Sequence, residues 1–200
     1  MSSRVALGDL LDALAQDQGD PGGGTASGVV TAVAAALAQM VSRYSAAEPA
    51  ATGIDRRLAR LRDAAVAAAD DDGRASGALG AALRPAQDEG PGDRDRRIVD
   101  AATRAIETSA ALGDIALGVW TEVRLLADVG NHHLMSDVAV ASDAVAAGLG
   151  GAATNLRGGL ALIDAHGDAR PAEAMHGDLL GRLITARREA RALADRLGEP

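Results

Sequence analysis

Hydrophobic residues recur along this chain at three- and four-residue steps, which predicts helices. No segment alternates apolar and polar residues in the way that a half-buried strand does. The predicted helices span residues 4–16, 54–83, 98–128, 137–164 and 170–197, with one more that follows a turn at 19–24 and ends at Tyr44. We therefore expect an all-α fold, a single bundle of about six helices that forms one domain over residues 1–200.

The helix that ends at Tyr44 carries no charge from Pro21 to Ser42. Its larger side chains recur at helical spacing, namely Val30, Val33, Leu37, Met40 and Tyr44. Because it has no polar face, we expect its neighbours to bury it. The preceding glycines, Gly22, Gly23 and Gly24, leave the first helical N–H groups uncovered and so predict an anion-binding position. Alternatively, these glycines only permit a tight turn, and Thr25 or Ser27 caps the helix.

An aspartate interrupts the apolar stripe of the third predicted helix. Ile54, Leu58 and Leu61 begin a stripe whose continuation reaches Asp72 and then Leu79. A buried carboxylate needs a partner, a shifted pKa or a ligand, because its desolvation is costly. Alternatively, residues 70–73 break the helix, and Asp72 is a solvated cap.

The fourth predicted helix keeps its apolar spacing from Ile98 to Leu126, and we expect Trp120 to lie in the core beside that stripe. Its acidic residues, Glu107, Asp114 and Glu122, are predicted to form the solvated side; alternatively, any of them faces a site.

The fifth helix resembles the second in having few charges and several small residues. Ser136 and Asp137 form a good start signal, a capping hydroxyl followed by a carboxylate in the first turn. Gly148, Gly150 and Gly151 thin the middle of this helix, which suggests close approach by another backbone or a ligand. Asn155 follows them, and its amide requires a hydrogen-bonding partner. The adjacent histidines, His132 and His133, lack the i, i+3 or i, i+4 spacing of a helical metal site.

Composition narrows the possible functions. The net charge of −8 and the near absence of aromatic residues argue against nucleic-acid binding. The chain has no cysteine, which excludes disulfides and thiolate chemistry and is compatible with the cytoplasm, where we expect the protein. The uncharged run from Pro21 to Ser42 is long enough to raise the question of a membrane span. Acidic residues precede it, however, so we expect a buried helix of a soluble protein with no membrane contact.

Taken in their order, these motifs resemble the formiminotetrahydrofolate cyclodeaminase/methenyltetrahydrofolate cyclohydrolase family. The resemblance covers about Leu7 to Leu197 and rests on the proline-glycine turn, an Asp-x-Asp, a Gly-Asn and a Ser-Asp before the glycine-thinned helix, and an asparagine within that helix. It implies an all-helical homodimer that acts on a tetrahydrofolate one-carbon derivative without a metal or a separate cofactor.

The resemblance also implies roles for individual residues. From the chemistry of the reaction we expect that Asp72 or Asp137 is the acid/base group and that the two lie beside the glycine turn. The residues that the resemblance assigns to folate binding are Pro21, Gly22, Gly23, Gly24, Asp70, Asn131, Ser136 and Asn155. Burial would raise the pKa of a carboxyl toward the range that acid/base catalysis uses.

Three functions remain open at this point. Cyclodeamination closes the folate ring with loss of ammonia, and cyclohydrolysis uses the same residues with water as the nucleophile. The third alternative is a non-catalytic helical partner, because the family's lysine is absent from Pro85–Gln87 and Gly159 stands where the family has a second asparagine.

Overall fold

Six α-helices make up the fold of the computed structural model, which describes residues 7–17, 20–45, 51–86 and 89–199, without the side chain of Pro91. The helices are α1 (Leu7–Leu14), α2 (Gly23–Tyr44), α3 (Ile54–Leu83), α4 (Pro91–Val129), α5 (Met135–His166) and α6 (Arg170–Gly198), and a 3-10 helix (His132–Leu134) precedes α5. The described residues contain no strand, so the all-α prediction is confirmed. The predicted start of α1 at residues 4–6, most of the linker after α2, and Gln87 lie outside the described residues.

The helix α5 lies at the centre and packs against α2, α4 and α6, while α3 packs against α2 and α4. Glycine allows several of these contacts to be unusually close. A Cβ at Gly148 or Gly151 of α5 would collide with Thr31 or Ser27 of α2. A Cβ at Gly28 of α2 would lie 2.7 Å from the Cβ of Ala69 on α3. The predicted close approach of a neighbouring backbone to α5 is therefore confirmed.

The buried side of α2 is its small-residue side. Gly24, Ser27, Thr31 and Ala34 are buried, whereas Val33 is 54% and Tyr44 69% exposed. The expectation that neighbours bury α2 all round is thus wrong for Val33 and Tyr44, because α3 and α5 pack at close range against the side of α2 that carries small residues.

The helix α2 is long and apolar enough by composition to cross a membrane, the one such case within the described ranges. In the bundle, 61% of its most apolar window is buried, as in the core helix of a soluble protein.

The third helix is continuous through residues 70–73, so the alternative of a break there is wrong. In α4, Trp120 is buried as expected, but Glu122 is buried too, contrary to its predicted place on the solvated side. Its carboxylate accepts two hydrogen bonds from Arg57 of α3, at 2.6 and 2.9 Å. A paired carboxylate can be buried where an isolated one cannot.

The first helix contributes no residue to the core. Leu7 and Leu11 are 66% and 55% exposed.

Candidate active site

The carboxyl group of Asp72 lies against the first turn of α2. It occupies the space that a Cβ at Gly24 would need, so the two helices can approach here only because residue 24 has no side chain. Asp72 is 3% exposed, and no salt bridge to it occurs within the described part of the chain. The stripe of α3 therefore does carry a buried acid, as its spacing predicts.

Burial raises the pKa of Asp72, and the negative charge of Asp20 acts in the same direction. Hydroxyl groups of Thr108, Ser76 and Ser109 hydrogen-bond to the carboxyl and act in the opposite direction, but desolvation is the largest contribution. The oxygens of Thr108 and Ser76 lie 3.2 and 3.3 Å from it. The carboxyl is therefore surrounded by neutral groups and one acid, which favours its protonated form.

The hydroxyl of Thr108 has a second neighbour. Its oxygen lies 3.0 Å from the carbonyl oxygen of Ala105, and a hydroxyl has only one proton to donate. When Thr108 donates to Ala105, its oxygen is free to accept a hydrogen bond from the protonated carboxyl of Asp72. The geometry thus accommodates both protonation states of Asp72.

Asp20 approaches the same region from the turn before α2. Its carboxylate oxygens lie 2.9 Å from the positions that a Cβ would take at Gly73 and at Gly77 of α3. Pro21 is buried and Gly22 precedes the first turn of α2 in an extended conformation. No side chain caps α2, so the alternative in which Thr25 or Ser27 caps it is wrong. Thr25 instead donates to the carbonyl of Ala69 at 3.3 Å.

A cavity of about 560 Å³ opens on the other side of this turn, between α2, α5 and α6. Gly23 and Asn155 both line it, and the Oδ1 atom of Asn155 lies 3.8 Å from where a Cβ of Gly23 would be. The side chain of Asn155 is half-buried and makes no hydrogen bond to any described residue. Its amide is therefore available to a ligand in the cavity.

Two of the predicted binding residues, Asn131 and Ser136, lie at the opposite end of α2 together with Asp137. The backbone N–H of Asn131 donates to the Ser45 hydroxyl at 2.8 Å, just beyond the last turn of α2. Asp137 and Asn155 are about 27 Å apart along α5 at the usual helical rise of about 1.5 Å per residue. Within one chain, Asp137 thus does not meet Asp72, contrary to the expected convergence.

The local roles at this end also differ from the predicted ones. Leu134, not Ser136, is the N-cap residue of α5, and Ser136 is exposed. The side chain of Asn131 accepts a hydrogen bond from the backbone N–H of His133 at 3.0 Å and so caps the 3-10 helix.

Asp70 lies on α3 close to Asp72 in sequence but on another side of the helix. Residues two positions apart in sequence are separated by about 200° around a helix axis, so the carboxyl groups of Asp70 and Asp72 point in different directions. Asp70 is half-buried, whereas Asp72 is buried.

Sequence reasoning missed the polar groups around Asp72, although a signal exists for two of them. Ser76 and Ser109 are polar members of the apolar stripes of α3 and α4, and each stripe is otherwise largely buried. Where polar residues in the apolar stripes of two packed helices lie opposite each other, they indicate a polar site between the helices. Thr108 and Asp20 give no comparable periodic signal.

Comparison with known proteins identifies a family for most of the chain. The formiminotransferase-cyclodeaminase family model matches residues 6–175. The formimidoyltransferase-cyclodeaminase of Rattus norvegicus is 32% identical over 147 residues, and that of Mus musculus is 30% identical over 146 residues. Each match covers 68% of this chain but 27% of the relative, so the chain spans about a quarter of the length of these curated relatives.

A solved structure shows the same fold. The crystal structure of formiminotetrahydrofolate cyclodeaminase from Thermotoga maritima matches with a TM-score of 0.80 over 97% of this chain and 96% of that one. The two sequences are 22% identical, and at that level the match concerns the fold.

Proposed function

We propose, from the premise that this chain belongs to the formiminotransferase-cyclodeaminase family, that it acts in folate one-carbon chemistry as a formiminotetrahydrofolate cyclodeaminase. The single observation that supports this proposal best is the buried carboxyl of Asp72 at the first turn of α2, with its pKa raised by burial. The reaction needs a group that gives a proton to a departing amine, and such a carboxyl retains its proton to higher pH than an exposed one.

The proposed reaction closes a ring on the folate. The lone pair of N10 forms a bond to the formimino carbon, and the imine nitrogen becomes an amine. This nitrogen gains two protons in all, one that N10 loses and one from Asp72. The carbon–nitrogen bond then breaks, its electron pair leaves with ammonia, and the 5,10-methenyl cation remains. Asp72 regains a proton from solvent.

Other residues at the same end of α2 are proposed to hold the substrate. Asn155 presents an unbonded amide to the cavity, where it can donate to and accept from the pterin ring. The uncovered N–H groups of the turn at Gly22 to Gly24 suit a carbonyl or carboxylate oxygen. Holding N10 close to the formimino carbon, in the orientation that bond formation needs, supplies much of the rate enhancement expected of such a site.

The proposal is tested by assaying the purified chain with 5-formiminotetrahydrofolate. We expect methenyltetrahydrofolate, followed by absorbance, and ammonia, followed by a coupled assay, to form in equal amounts. The control is Gly158→Ala, because Gly158 lies on an exposed part of α5 with nothing within 4 Å of its Cβ position. Absence of both products from a folded protein contradicts the proposal. Hydrolysis of added methenyltetrahydrofolate, without ammonia release from the formimino compound, supports the cyclohydrolase alternative instead.

We also propose that the protein is a homodimer. The larger side chains of α2 that the bundle leaves exposed, Val33 and Tyr44 among them, form a stripe with the half-buried Leu37 and Met40. An unpartnered apolar stripe is a common feature of an interface. Light scattering after size exclusion should give twice the chain mass of 20.1 kDa, and Val33→Asp should lower it. A wild-type protein that stays monomeric at high concentration contradicts this proposal.

A further inference from the structure

A groove of about 690 Å³ lies between α4 and α6. Leu117 and Trp120 line it from α4, and Trp120, at its base, is only 6% exposed. Gly177 and Gly181 of α6 form the opposite wall. The groove is separate from the cavity between α2, α5 and α6, because the two share no lining residue.

The packing of this chain does not require glycine on that wall. Nothing among the described residues lies within 4 Å of the position that a Cβ would take at Gly177 or Gly181, whereas a Cβ at Gly151 of α5 would collide with α2. Glycine within a helix is less favourable than alanine, because it loses more backbone freedom on folding. What the two glycines provide is an open wall of backbone, against which a flat ring can lie closely.

The indole N–H of Trp120 has no hydrogen-bonding partner within the described ranges. This group can only donate, and the N–H of a buried tryptophan usually finds an acceptor. No side-chain nitrogen or oxygen in the described part of the chain is both sealed from solvent and unpartnered, so this N–H is reached through the groove that the indole lines. A molecule in the groove therefore meets an unused donor at its base.

Arg124 supplies a second donor beside the first. It lies one turn beyond Trp120 on the same side of α4, since the two are four residues apart, and it forms no salt bridge with any described residue. Asp178, Arg182 and Glu189 of α6 also line the groove, but neither acid is paired with Arg124. Two adjacent donors, one of them a cation, match the oxygens of a carboxylate or a similar acid group.

We infer that this groove is a binding site for a planar aromatic acid. The ring fits between the indole of Trp120 and the open wall of α6, and the acid group accepts hydrogen bonds from the indole N–H and from Arg124. The volume is within the usual range of small-molecule sites, about 300–1,000 Å³, which are likewise lined by apolar groups with a few polar ones. The inference does not depend on the reaction proposed above.

The test uses the full chain, isotopically labelled on nitrogen, because Trp120 is its only tryptophan and gives a single indole N–H resonance. The chain is titrated with 2-naphthoate and with 2-naphthamide, which has the same rings and no charge. We expect 2-naphthoate to shift the indole resonance, and 2-naphthamide to bind at least about fivefold more weakly in calorimetry. An indole resonance that 2-naphthoate leaves unmoved up to its solubility limit overturns the inference, and equal affinities of the two probes overturn the assignment to acids.

Two double variants separate this groove from other apolar surfaces. In Gly177→Leu/Gly181→Leu, the new side chains fill the groove, so the Kd for 2-naphthoate should rise at least about tenfold. The matched control is Gly80→Leu/Gly158→Leu, which adds the same side chains at equally open, exposed positions of α3 and α5. We expect its Kd to stay within about twofold of wild type, and circular dichroism checks that both variants are folded. Equal weakening by the two variants overturns the inference.

Removing the cation should weaken binding of the acid but not of the amide. In Arg124→Gln, the Kd for 2-naphthoate should rise at least about fivefold, and that for 2-naphthamide should stay within about twofold. Arg104→Gln removes the same charge from an exposed position of α4 outside the groove and should change neither Kd. An equal change for both probes in Arg124→Gln overturns the role of Arg124. None of these results bears on the assay with formiminotetrahydrofolate, because no residue changed here is proposed to bind the folate.

Discussion

The two ends of α2 place acidic residues in opposite electrostatic settings. At its start, Asp72 is buried among hydroxyl groups, and burial raises its pKa. Near its end, Asp55 accepts hydrogen bonds from Gln39 at 2.9 Å and from Arg43 at 2.8 Å, and these bonds lower its pKa. An acid held by a cation stays ionised and stabilises the fold, whereas a desolvated acid without one is available for proton transfer. The comparison therefore supports the proposal that Asp72, at the start of α2, is the acid/base group.

The largest effect that tests this comparison is on the rate. Asp72→Asn removes the proton donor with little change of shape, and we expect kcat to fall about 10²- to 10⁴-fold, the usual contribution of a general acid. Asp137→Asn, at the other end, should leave kcat within about threefold. Both are measured with 5-formiminotetrahydrofolate at saturating concentration. An equal loss of kcat in both variants would contradict the comparison, because it would mean that Asp72 and Asp137, at opposite ends of α2, belong to one site. A single chain cannot form such a site.

The next effect is on stability. In Gly24→Ala, the added methyl group meets the carboxyl of Asp72, and such overpacking costs about 1–3 kcal/mol of unfolding free energy. Gly158→Ala adds the same group to an open position of α5 and should stabilise by about 0.5–1 kcal/mol. Urea unfolding of the two variants beside wild type measures the difference. Equal stabilities would show that the start of α2 is more loosely packed than its contacts indicate.

A smaller effect concerns ligand binding. Asn155→Ala removes an amide that faces the cavity and bonds no described residue, so its loss should leave stability nearly unchanged. We expect KM to rise about tenfold, which corresponds to about one hydrogen bond to the substrate. Steady-state kinetics gives KM, and thermal unfolding provides the stability control. Destabilisation with an unchanged KM would assign Asn155 to the fold.

The smallest effect is on the pH dependence of stability, and its sign differs between the two acids. Because the folded-state pKa of Asp72 is raised above 3.8, its contribution to stability is fully present below that pH and is lost as pH rises through the folded-state value. The lowered pKa of Asp55 has the opposite consequence, since its contribution is present above 3.8 and is lost as pH falls. The free energy of unfolding of wild type minus that of Asp72→Asn should therefore fall as pH rises. The free energy of unfolding of wild type minus that of Asp55→Asn should rise as pH rises. Curves with the same sign contradict the comparison.

Much of the helical fold could be predicted from side-chain spacing, because each long helix buries one side, and the apolar residues of that side recur every three or four positions in the sequence. Ile98 to Leu126 is the clearest case, and the continuation of the α3 stripe through Asp72 predicted the buried acid correctly. The same rule failed for α2, where large apolar residues such as Val33 are exposed. Periodicity identifies an apolar face but does not say whether this chain itself covers that face.

The candidate site was less predictable, because its parts come from separate helices. Asp72 of α3 and Asn155 of α5 lie beside the start of α2, whereas Asp137 lies in the first turn of α5, near the end of α2. Only the antiparallel packing of α2 and α5 determines which residues share an end. The absent second asparagine has a local explanation, since Gly159 is in contact with Ile106 of α4 and a larger side chain would not fit. The lysine that the resemblance implies would fall within Pro85–Gln87, of which Gln87 lies outside the described residues.

The hydroxyl groups of Ser27 and Thr31 donate to carbonyls of their own helix, Gly23 at 2.7 Å and Ser27 at 2.8 Å, rather than across to α5. Within the part of the chain that the structure describes, no side-chain hydrogen bond joins α2 to α5, so close packing determines the position of one helix along the other. A substitution that adds one methyl group at that junction would therefore shift α2 relative to α5, and would change the distance between Asp72 on α3 and Asn155 on α5 while leaving both residues unaltered.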